Sequence, residues 1–434
     1  MKGRDYMGST GTKKLTIAII GIGGRGFHAF GRMLAARSDA TIGAFVDPNP
    51  LRLKAAVKGL GVAARCYATS KELFKKERPD GVIITSPDHT HEENCLTAIT
   101  NGVPVLVDKP MATTSAGCLR IIEASNKAKV PVSVGFNLRH IAVLHMTKQL
   151  IADGRIGRLM LIENKEFYGG GRTYMSRWNR KYKLSGGLWV HKGSHDFDIF
   201  NWWNADGVPI RVAAFAGVNA LRPDKIPFKV GKNKPVGPYC GECAYLKTCP
   251  DAYPLLPGVI IHSAEIAKAD GYRPDLCMYI SDKDTHDNGI SIVEYDNNVR
   301  ASHLECFIAN FSDRRYTVVG DRGILELSLE KPTEILFRPR WGSEDLIIHV
   351  PPMGEGGHGG SDPNLLETFL TSLRTGATGS STALDGIRSV AVGEAAEISW
   401  RNHRMVDIRD LVDFNAPLLR AVVKSGKKRR EAGM

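Results

Sequence analysis

The run Leu15-Thr16-Ile17-Ala18-Ile19-Ile20 leads directly into Gly21-Ile22-Gly23-Gly24-Arg25-Gly26, and this junction constrains the fold of the 434-residue chain more tightly than any other feature. A short, nearly continuous β-rich apolar run is the pattern of a strand buried on both faces. The glycines fit G-x-G-x-x-G where that spacing has a mechanism, between a strand and the helix it opens. The first permits a tight turn, the second lets backbone approach a pyrophosphate, and the third lets helix and strand pack closely. Unpaired N–H groups at the helix N-terminus then meet the phosphate charge. Asp47 follows the next strand, twenty-one residues after Gly26. A carboxylate there accepts hydrogen bonds from the adenosine ribose and repels a 2′-phosphate, which favours NAD over NADP. Arg52 is near enough to soften that preference. Gly21, Gly23, Gly24, Arg25, Gly26, Asp47 and Arg52 are therefore expected at the cofactor.

Strand and helix patterns alternate up to about residue 138. Apolar β-rich segments at Thr41–Val46, Gly81–Thr85, Val103–Val107 and Val130–Gly135 are separated by helical stretches at 27–37, 50–59, 91–101 and 115–128, and Ser70 is expected to cap a further helix. This grammar predicts a parallel sheet with right-handed crossovers. After a helix at 140–153 the pattern changes to longer strands with little helix between them: 159–167, 211–218, 290–295, 299–307, 316–319, 324–328 and 334–338. Helices at about 364–375 and 383–402 close the folded part. The expected fold is α/β overall: an N-terminal Rossmann dinucleotide-binding domain over 14–138, then an α+β domain over 139–415 with a mostly antiparallel open sheet. Residues 1–13 read as disordered, 221–285 as an irregular excursion rich in Pro, Gly and Cys, and 416–434 as a basic tail.

Composition narrows the function classes. The net charge is +12, much of it in the two ends, with Lys2, Arg4, Lys13 and Lys14 at one and Lys424, Lys427, Lys428, Arg429 and Arg430 at the other. Frayed basic ends on a mildly basic body do not call for a nucleic-acid partner. No segment approaches the ~18 consecutive apolar residues of a membrane span, and the first apolar run is too short for a secretory signal. The expectation is a cytoplasmic protein with no membrane or nucleic-acid partner. Its eight cysteines then read as thiols or metal ligands rather than bridges. Cys240, Cys243, Cys249 and Cys277 have zinc-like elements but loose spacing, so free thiols are the default and a structural zinc in the excursion is the alternative.

Two further segments carry chemistry. Asp108-Lys109-Pro110 ends the strand Val103–Val107, at the sheet edge where ligands sit in such folds. His191 and His195 are four residues apart in Gly186–Asp198, on one face if that segment is a single helix. With Asp198 they have the beginnings of a metal site, but no third ligand of convincing spacing follows, so no metal is assigned and an acid–base pair is the better reading. Ahead of them lie Arg172, Arg177, Arg180, Lys181 and Lys183, interleaved with Tyr174, Trp178 and Tyr182. Such a set suits an anionic sugar or, more simply, a solvated basic loop.

Read in order, several motifs resemble the glucose–fructose oxidoreductase / inositol dehydrogenase (Gfo/Idh/MocA) family. They are Gly21–Gly26, Thr85-Ser86-Pro87-Asp88-His89-Thr90-His91, Asp108-Lys109-Pro110, Gly135-Phe136-Asn137-Leu138-Arg139, Gly186–Asp198 and His358-Gly359-Gly360-Ser361-Asp362. The resemblance implies an NAD-dependent enzyme that oxidises a hydroxyl of a sugar, sugar derivative or cyclitol at a domain interface, assembled as a homodimer or homotetramer. It adds Ser86, Pro87, His91, Asp108, Lys109 and Asn137 to the cofactor site, and Arg139, Arg172, Trp178, His191 and His195 to the substrate site. The family lysine falls on Lys109 and its acid–base histidine on His195, with Lys109 steadying an alkoxide while His195 takes the proton. Two departures stand out: Asp108 replaces a glutamate, and His191 replaces the family aspartate. Some NAD-dependent glycosidases of this fold resemble the chain in having a catalytic histidine near that point. A glycosidase or lyase working through transient oxidation, with His191 involved, is thus the alternative enzyme, and a non-catalytic NAD-binding regulator is the third reading.

Overall fold

The computed structural model describes residues 13–255, 260–342, 344–353, 360–377 and 379–419. The expected disordered N-terminus and basic tail fall almost wholly outside these residues, as do His358 and Gly359. The first sheet contains β1 (Leu15–Ile20), β2 (Ala40–Val46), β3 (Arg65–Tyr67), β4 (Gly81–Ile84), β5 (Val105–Val107) and β6 (Val132–Val134). All pairings are parallel and the order is β3-β2-β1-β4-β5-β6. The order reverses between β1 and β4, so their carboxyl ends flank the crevice in which open α/β sheets bind ligands.

Both faces of this sheet are dry, as the continuous apolar runs require. Ile17 and Ile19 face Phe27, Phe30, Phe45 and Leu53, while Ala18 and Ile20 face the opposite layer with Cys95, Ala98 and Ile121. The first layer is completed from far along the chain: Leu365, Leu366, Phe369 and Leu370 of the helix Ser361–Thr375 pack into it. That helix brings its first turn, with Asp362, to the carboxyl edge of the sheet.

The second sheet contains β7 (Leu159–Tyr168), β8 (Pro209–Gly217), β9 (Asn288–Tyr295), β10 (Arg300–Cys306), β11 (Ser312–Gly320), β12 (Gly323–Ser328), β13 (Glu334–Pro339), β14 (Leu346–His349) and β15 (Val406–Asp407). Their order is β14-β13-β12-β11-β7-β10-β9-β8-β15, antiparallel throughout except where β7 and β10 run parallel. Strict alternation of buried and open residues along β9 and β10 turns one face inward. The inner face packs on the helices Ser194–Trp203 and Ala383–Asn402, the latter opened by a capping box between Thr382 and Asp385. The outer face keeps Leu161, Phe215, Ile290 and Ile292 in solvent, with Phe215 79% exposed. No helix among the described residues is long and apolar enough to cross a membrane.

The excursion is irregular, as its composition suggests, but it is anchored. Asp287 accepts the N–H groups of Asn219, Ala220 and Leu221 where the chain leaves the sheet. Leu221, Cys277, Met278 and Tyr279 then pack with Tyr174, Met175, Leu188 and Phe307. A short helix, Ala264–Asp270, reaches back to the first sheet, and Ile261 is fully buried in the apolar layer beside Phe27.

Candidate active site

The glycine turn divides its labour as the fingerprint demands. Gly21 has φ +89°, and a Cβ there would lie 2.3 Å from the Ser86 nitrogen. A Cβ on Gly26 would lie 2.1 Å from the Gly21 oxygen. These two glycines let β1, β4 and the following helix (Arg25–Gly31, continued by Arg32–Ala35) close on one another. Around Gly23 and Gly24, by contrast, no atom lies within 4 Å of where a Cβ would stand. An open, side-chain-free stretch of backbone at the start of a helix fits a pyrophosphate.

At the far end of the turn, Asp47 accepts N–H bonds from Ile22 at 3.0 Å and Asn49 at 2.9 Å. Arg52 does not act as the free cation expected near the ribose. One arm of its guanidinium binds Asp47 at 2.9 Å and the other binds Asp270, from the excursion, at 2.6 Å. Two carboxylates around one guanidinium sum to −1, so Arg52 no longer offsets the charge that Asp47 sets against a 2′-phosphate.

Arg25 is likewise committed rather than open to phosphate. It bridges Asp108 at 3.0 Å and Asp362 at 2.9 Å, and Asp362 also accepts the amide of Asn137 at 2.9 Å. This network ties the glycine helix to the ends of β5 and β6 and to the late helix Ser361–Thr375. His91 is expected at the cofactor, but its two ring nitrogens lie 2.7 and 2.8 Å from the carbonyl oxygens of Pro110 and Ser86. It staples two loops of the crevice together instead of facing a ligand. Ser86 and Pro87 form the turn beneath it, where the Ser86 hydroxyl pairs with Thr90 at 2.6 Å.

The expected histidine helix is broken. One helix ends at Leu188–His191, Lys192 and Gly193 form a turn, and a second helix begins at Ser194. His191 and His195 therefore belong to different elements. Lys109 donates to the backbone oxygen of His191 at 2.6 Å. The His191 ring turns toward the end of β4, where its Nδ1 lies 2.6 Å from Asp88 Oδ2. The rings of Tyr174 and Trp178 stand edge-on to it at 5.3 and 5.4 Å. His195 is half-buried in the first turn of the second helix.

Burial governs the charges here. It lowers Lys109 to about 8, helped by Lys192 and opposed by Asp88. It drives His191 well below its ordinary range, with Lys109 and Lys192 adding to the effect. It raises Asp88 to about 7 against the pull of His91 and Lys109. Lys192, which was not singled out from the sequence, is held charged and raised by Glu166 at 3.2 Å, above the Tyr168 ring.

Several expected ligand contacts are structural instead. Arg139 is buried, with a two-pronged bond to Asp198 at 2.8 and 2.6 Å, a contact to Asp385 at 3.0 Å and one to the Ser380 oxygen at 2.9 Å. All three nitrogens of its fork are engaged, and Asp198 is taken up by it through both oxygens. Arg172 turns to the Gly169 oxygen and to Asp251 rather than to the crevice. Arg180 and Lys181 pair with Asp282 and Asp284, while Arg177 reaches the Tyr253 hydroxyl at 3.1 Å. Among the described residues, three metal-capable atoms come within 4.8 Å of one another at Glu166, Asp196 and His303, where Lys192 and Arg314 already reach Glu166 Oε1 and Arg314 and Tyr316 reach Asp196. The four cysteines of the excursion are free thiols and form no group of that closeness among the described residues.

Asp88 is the functional candidate that sequence reasoning passed over. It stands inside a quoted motif, just beyond the carboxyl end of β4, and that position was the available signal.

Comparison with known proteins agrees with this geometry. A family described as "Oxidoreductase family, NAD-binding Rossmann fold" matches residues 15–136, and its companion, "Oxidoreductase family, C-terminal alpha/beta domain", matches 148–408. YteT of Bacillus subtilis (strain 168), which bears only a provisional name as an oxidoreductase, is 29% identical over 91% of this chain and 98% of its own length. The inositol 2-dehydrogenase of Klebsiella pneumoniae subsp. pneumoniae is 36% identical over 34% of this chain, which spans 44% of that enzyme. Among solved structures, the WlbA dehydrogenase of Bordetella pertussis in complex with NADH and UDP-GlcNAcA superposes with TM-score 0.67 at 18% identity, covering 91% of this chain and 99% of that one. A levoglucosan dehydrogenase in complex with NADH and levoglucosan gives 0.70 at 15% identity, with coverage of 91% and 99%. At these identities the superpositions establish the fold.

Proposed function

The chain belongs to the GFO_IDH_MocA family of NAD-binding oxidoreductases, and on that premise we propose that it oxidises a CH–OH group of a sugar, sugar derivative or cyclitol. The observation that carries the reading is the position of Lys109. Its ammonium lies at the carboxyl end of β5, two strands from the glycine turn on the same edge of the sheet, on the oxygen of a histidine walled by Tyr174 and Trp178. Aromatic edges around an imidazole, with a cation on that residue's backbone oxygen, suit a polyhydroxylated ring better than an apolar substrate.

The open backbone at Gly23 and Gly24, with Asp47 at the ribose end, would hold NAD. When bound, NAD supplies the hydride acceptor. The chain's own residues manage the proton. As the carbon is oxidised its hydroxyl must lose a proton, and a neutral histidine of the His191/His195 pair accepts it. Lys109 has donors beyond the one spent on the His191 oxygen and uses them to stabilise negative charge on the substrate oxygen. The apolar outer face of the second sheet, with Phe215, Ile290 and Ile292, further supports assembly into a homodimer or homotetramer, which light scattering would measure.

The test is a panel of myo-inositol, levoglucosan, free aldoses and nucleotide sugars, scored by NADH formation. At least one member should reduce NAD. Failure of all of them, in protein whose NADH binding is intact by fluorescence, would overturn the reading.

A further inference from the structure

We propose that His191 and Asp88 work as a dyad: His191 Nε2 takes the hydroxyl proton, and Asp88 fixes the ring and balances the charge that forms on it. The inference rests on the dehydrogenase reading above and assigns its general base.

The geometry has three parts. First, Asp88 is buried in the tight turn that follows β4, and its Oδ2 lies 2.6 Å from His191 Nδ1. That bond occupies one ring nitrogen and leaves Nε2 as the one available to a ligand. Second, the ring cannot swing away, because Tyr174 and Trp178 stand edge-on against it and its own backbone oxygen is held by Lys109. Third, the His191 side chain keeps 12% of its surface open while Asp88 keeps 4%, so the histidine can meet a substrate and the aspartate acts only through it. Asp88 is thus a positioning residue.

The protonation states agree with this assignment. His89, His91, Asp108, Lys109 and Lys192 surround the pair. Burial and the two lysines keep His191 neutral. Once Asp88 is ionised, Nδ1 carries the proton and donates it to the carboxylate, leaving Nε2 with a lone pair. While Asp88 holds its own proton, the opposite tautomer is favoured and Nε2 cannot act as a base. In the reaction the substrate O–H bond breaks and its proton goes to Nε2. The oxygen's electron pair forms the C=O bond, and the C–H pair departs with its hydrogen as hydride to oxidised NAD. The resulting imidazolium sits against the Asp88 carboxylate, as in other histidine–carboxylate pairs. A histidine standing where the family has an aspartate thereby becomes a base with its own carboxylate behind it.

Two measurements on the full chain test the dyad. Long-range proton–nitrogen spectra of ¹⁵N-histidine-labelled protein, with and without NADH, identify the His191 tautomer, assigned by its loss in His191→Asn. At mildly alkaline pH the wild type should carry the proton on Nδ1, and Asp88→Asn should move it to Nε2. With whichever sugar of the panel reduces NAD, Asp88→Asn should lower kcat roughly 10²–10⁴-fold while KM stays within about threefold, and adding His191→Asn to it should lose little more. The acid limb of the pH profile should disappear with Asp88. An Nε2-protonated wild type, or kcat within about threefold in Asp88→Asn, refutes the dyad. If Asp88→Asn does not fold, the wild-type tautomer and the kinetics of His191→Asn decide the matter. If no sugar reduces NAD, the dehydrogenase reading fails, while the tautomer experiment still reports separately on the pair.

Discussion

Replacing Arg139 by methionine separates a ligand-binding role from a structural one. The guanidinium is buried between Asp198 and Asp385, with Asp198 fully buried. Removing one partner of a buried ion pair leaves an uncompensated charge and costs about 3–5 kcal/mol. At roughly 2 °C per kcal/mol for a domain of a few hundred residues, the melting temperature should fall by about 6–10 °C. The pH dependence sharpens the test. Burial already raises Asp198 to about 7, even with the Arg139 fork upon it. A carboxylate whose folded pKa lies above its unfolded value loses stability as pH rises between the two values, and the loss stops above the folded one. In the wild type that window closes near pH 7. Without Arg139 the folded value climbs further, so the window stays open and the variant falls behind by up to about 1.4 kcal/mol per pH unit above 7. Arg139→Met combined with Asp198→Asn should recover much of the deficit. Thermal melts of the three proteins at several pH values measure it. A variant as stable as the wild type, with only KM for sugar raised, would falsify the structural assignment and restore Arg139 to the substrate site.

Three other outcomes are expected. Lys109→Met should lower kcat about 10²–10³-fold, and because the charged form is the useful one, wild-type kcat should fall as pH rises through about 8; a rate still climbing across that range argues against the ammonium. Gly26→Ala should abolish NADH binding measured by fluorescence, since its Cβ would enter the Gly21 carbonyl at 2.1 Å; unchanged affinity would show that the turn can relax. Burial alone would raise Glu305, but hydrogen bonds from His286 and His303 hold it at about 2, so its stabilisation is complete above about 4.5 and is lost as pH falls toward 2. Glu305→Gln should flatten this part of the acid-unfolding curve, and an unaltered curve would remove Glu305 from the cause.

Local pattern carried the first sheet well. Buried parallel strands leave continuous apolar runs, and Gly21–Gly26 needs only its neighbours in sequence to be recognised. The strands missed, β3, β14 and β15, are short or exposed and lack that signature: Arg65 and Cys66 are open, as is most of β14. Thr69 rather than Ser70 caps the helix Ser70–Lys76, an error of one residue in a Thr-Ser pair of equally good caps. Site residues split along a similar line. Backbone-determined ones, such as Gly21 and Gly26, were legible. Arginines were not, because a free Arg139, Arg52 or Arg172 reads the same as one whose partner lies far off in the chain, at Asp198, Asp270 or Asp251. The helix break at Lys192-Gly193 had a signal in the glycine, but the i, i+4 spacing of two histidines outweighed it.

The excursion had the weakest pattern of any described segment, yet it shapes both ends of the crevice. Asp270 completes the carboxylate pair around Arg52, and Ile261 seals the apolar layer next to it. Tyr253 accepts a hydrogen bond from Arg177 at 3.1 Å, one residue before the Trp178 that walls His191. One irregular insertion thus braces the Asp47–Arg52 corner and the segment that walls His191 through side chains rather than through a sheet or a long helix. Such a segment is held by scattered single contacts, which have no period to detect. The glycine turn, Lys109 and the Asp88–His191 contact are fixed instead by the strand ends and the helix Leu188–His191.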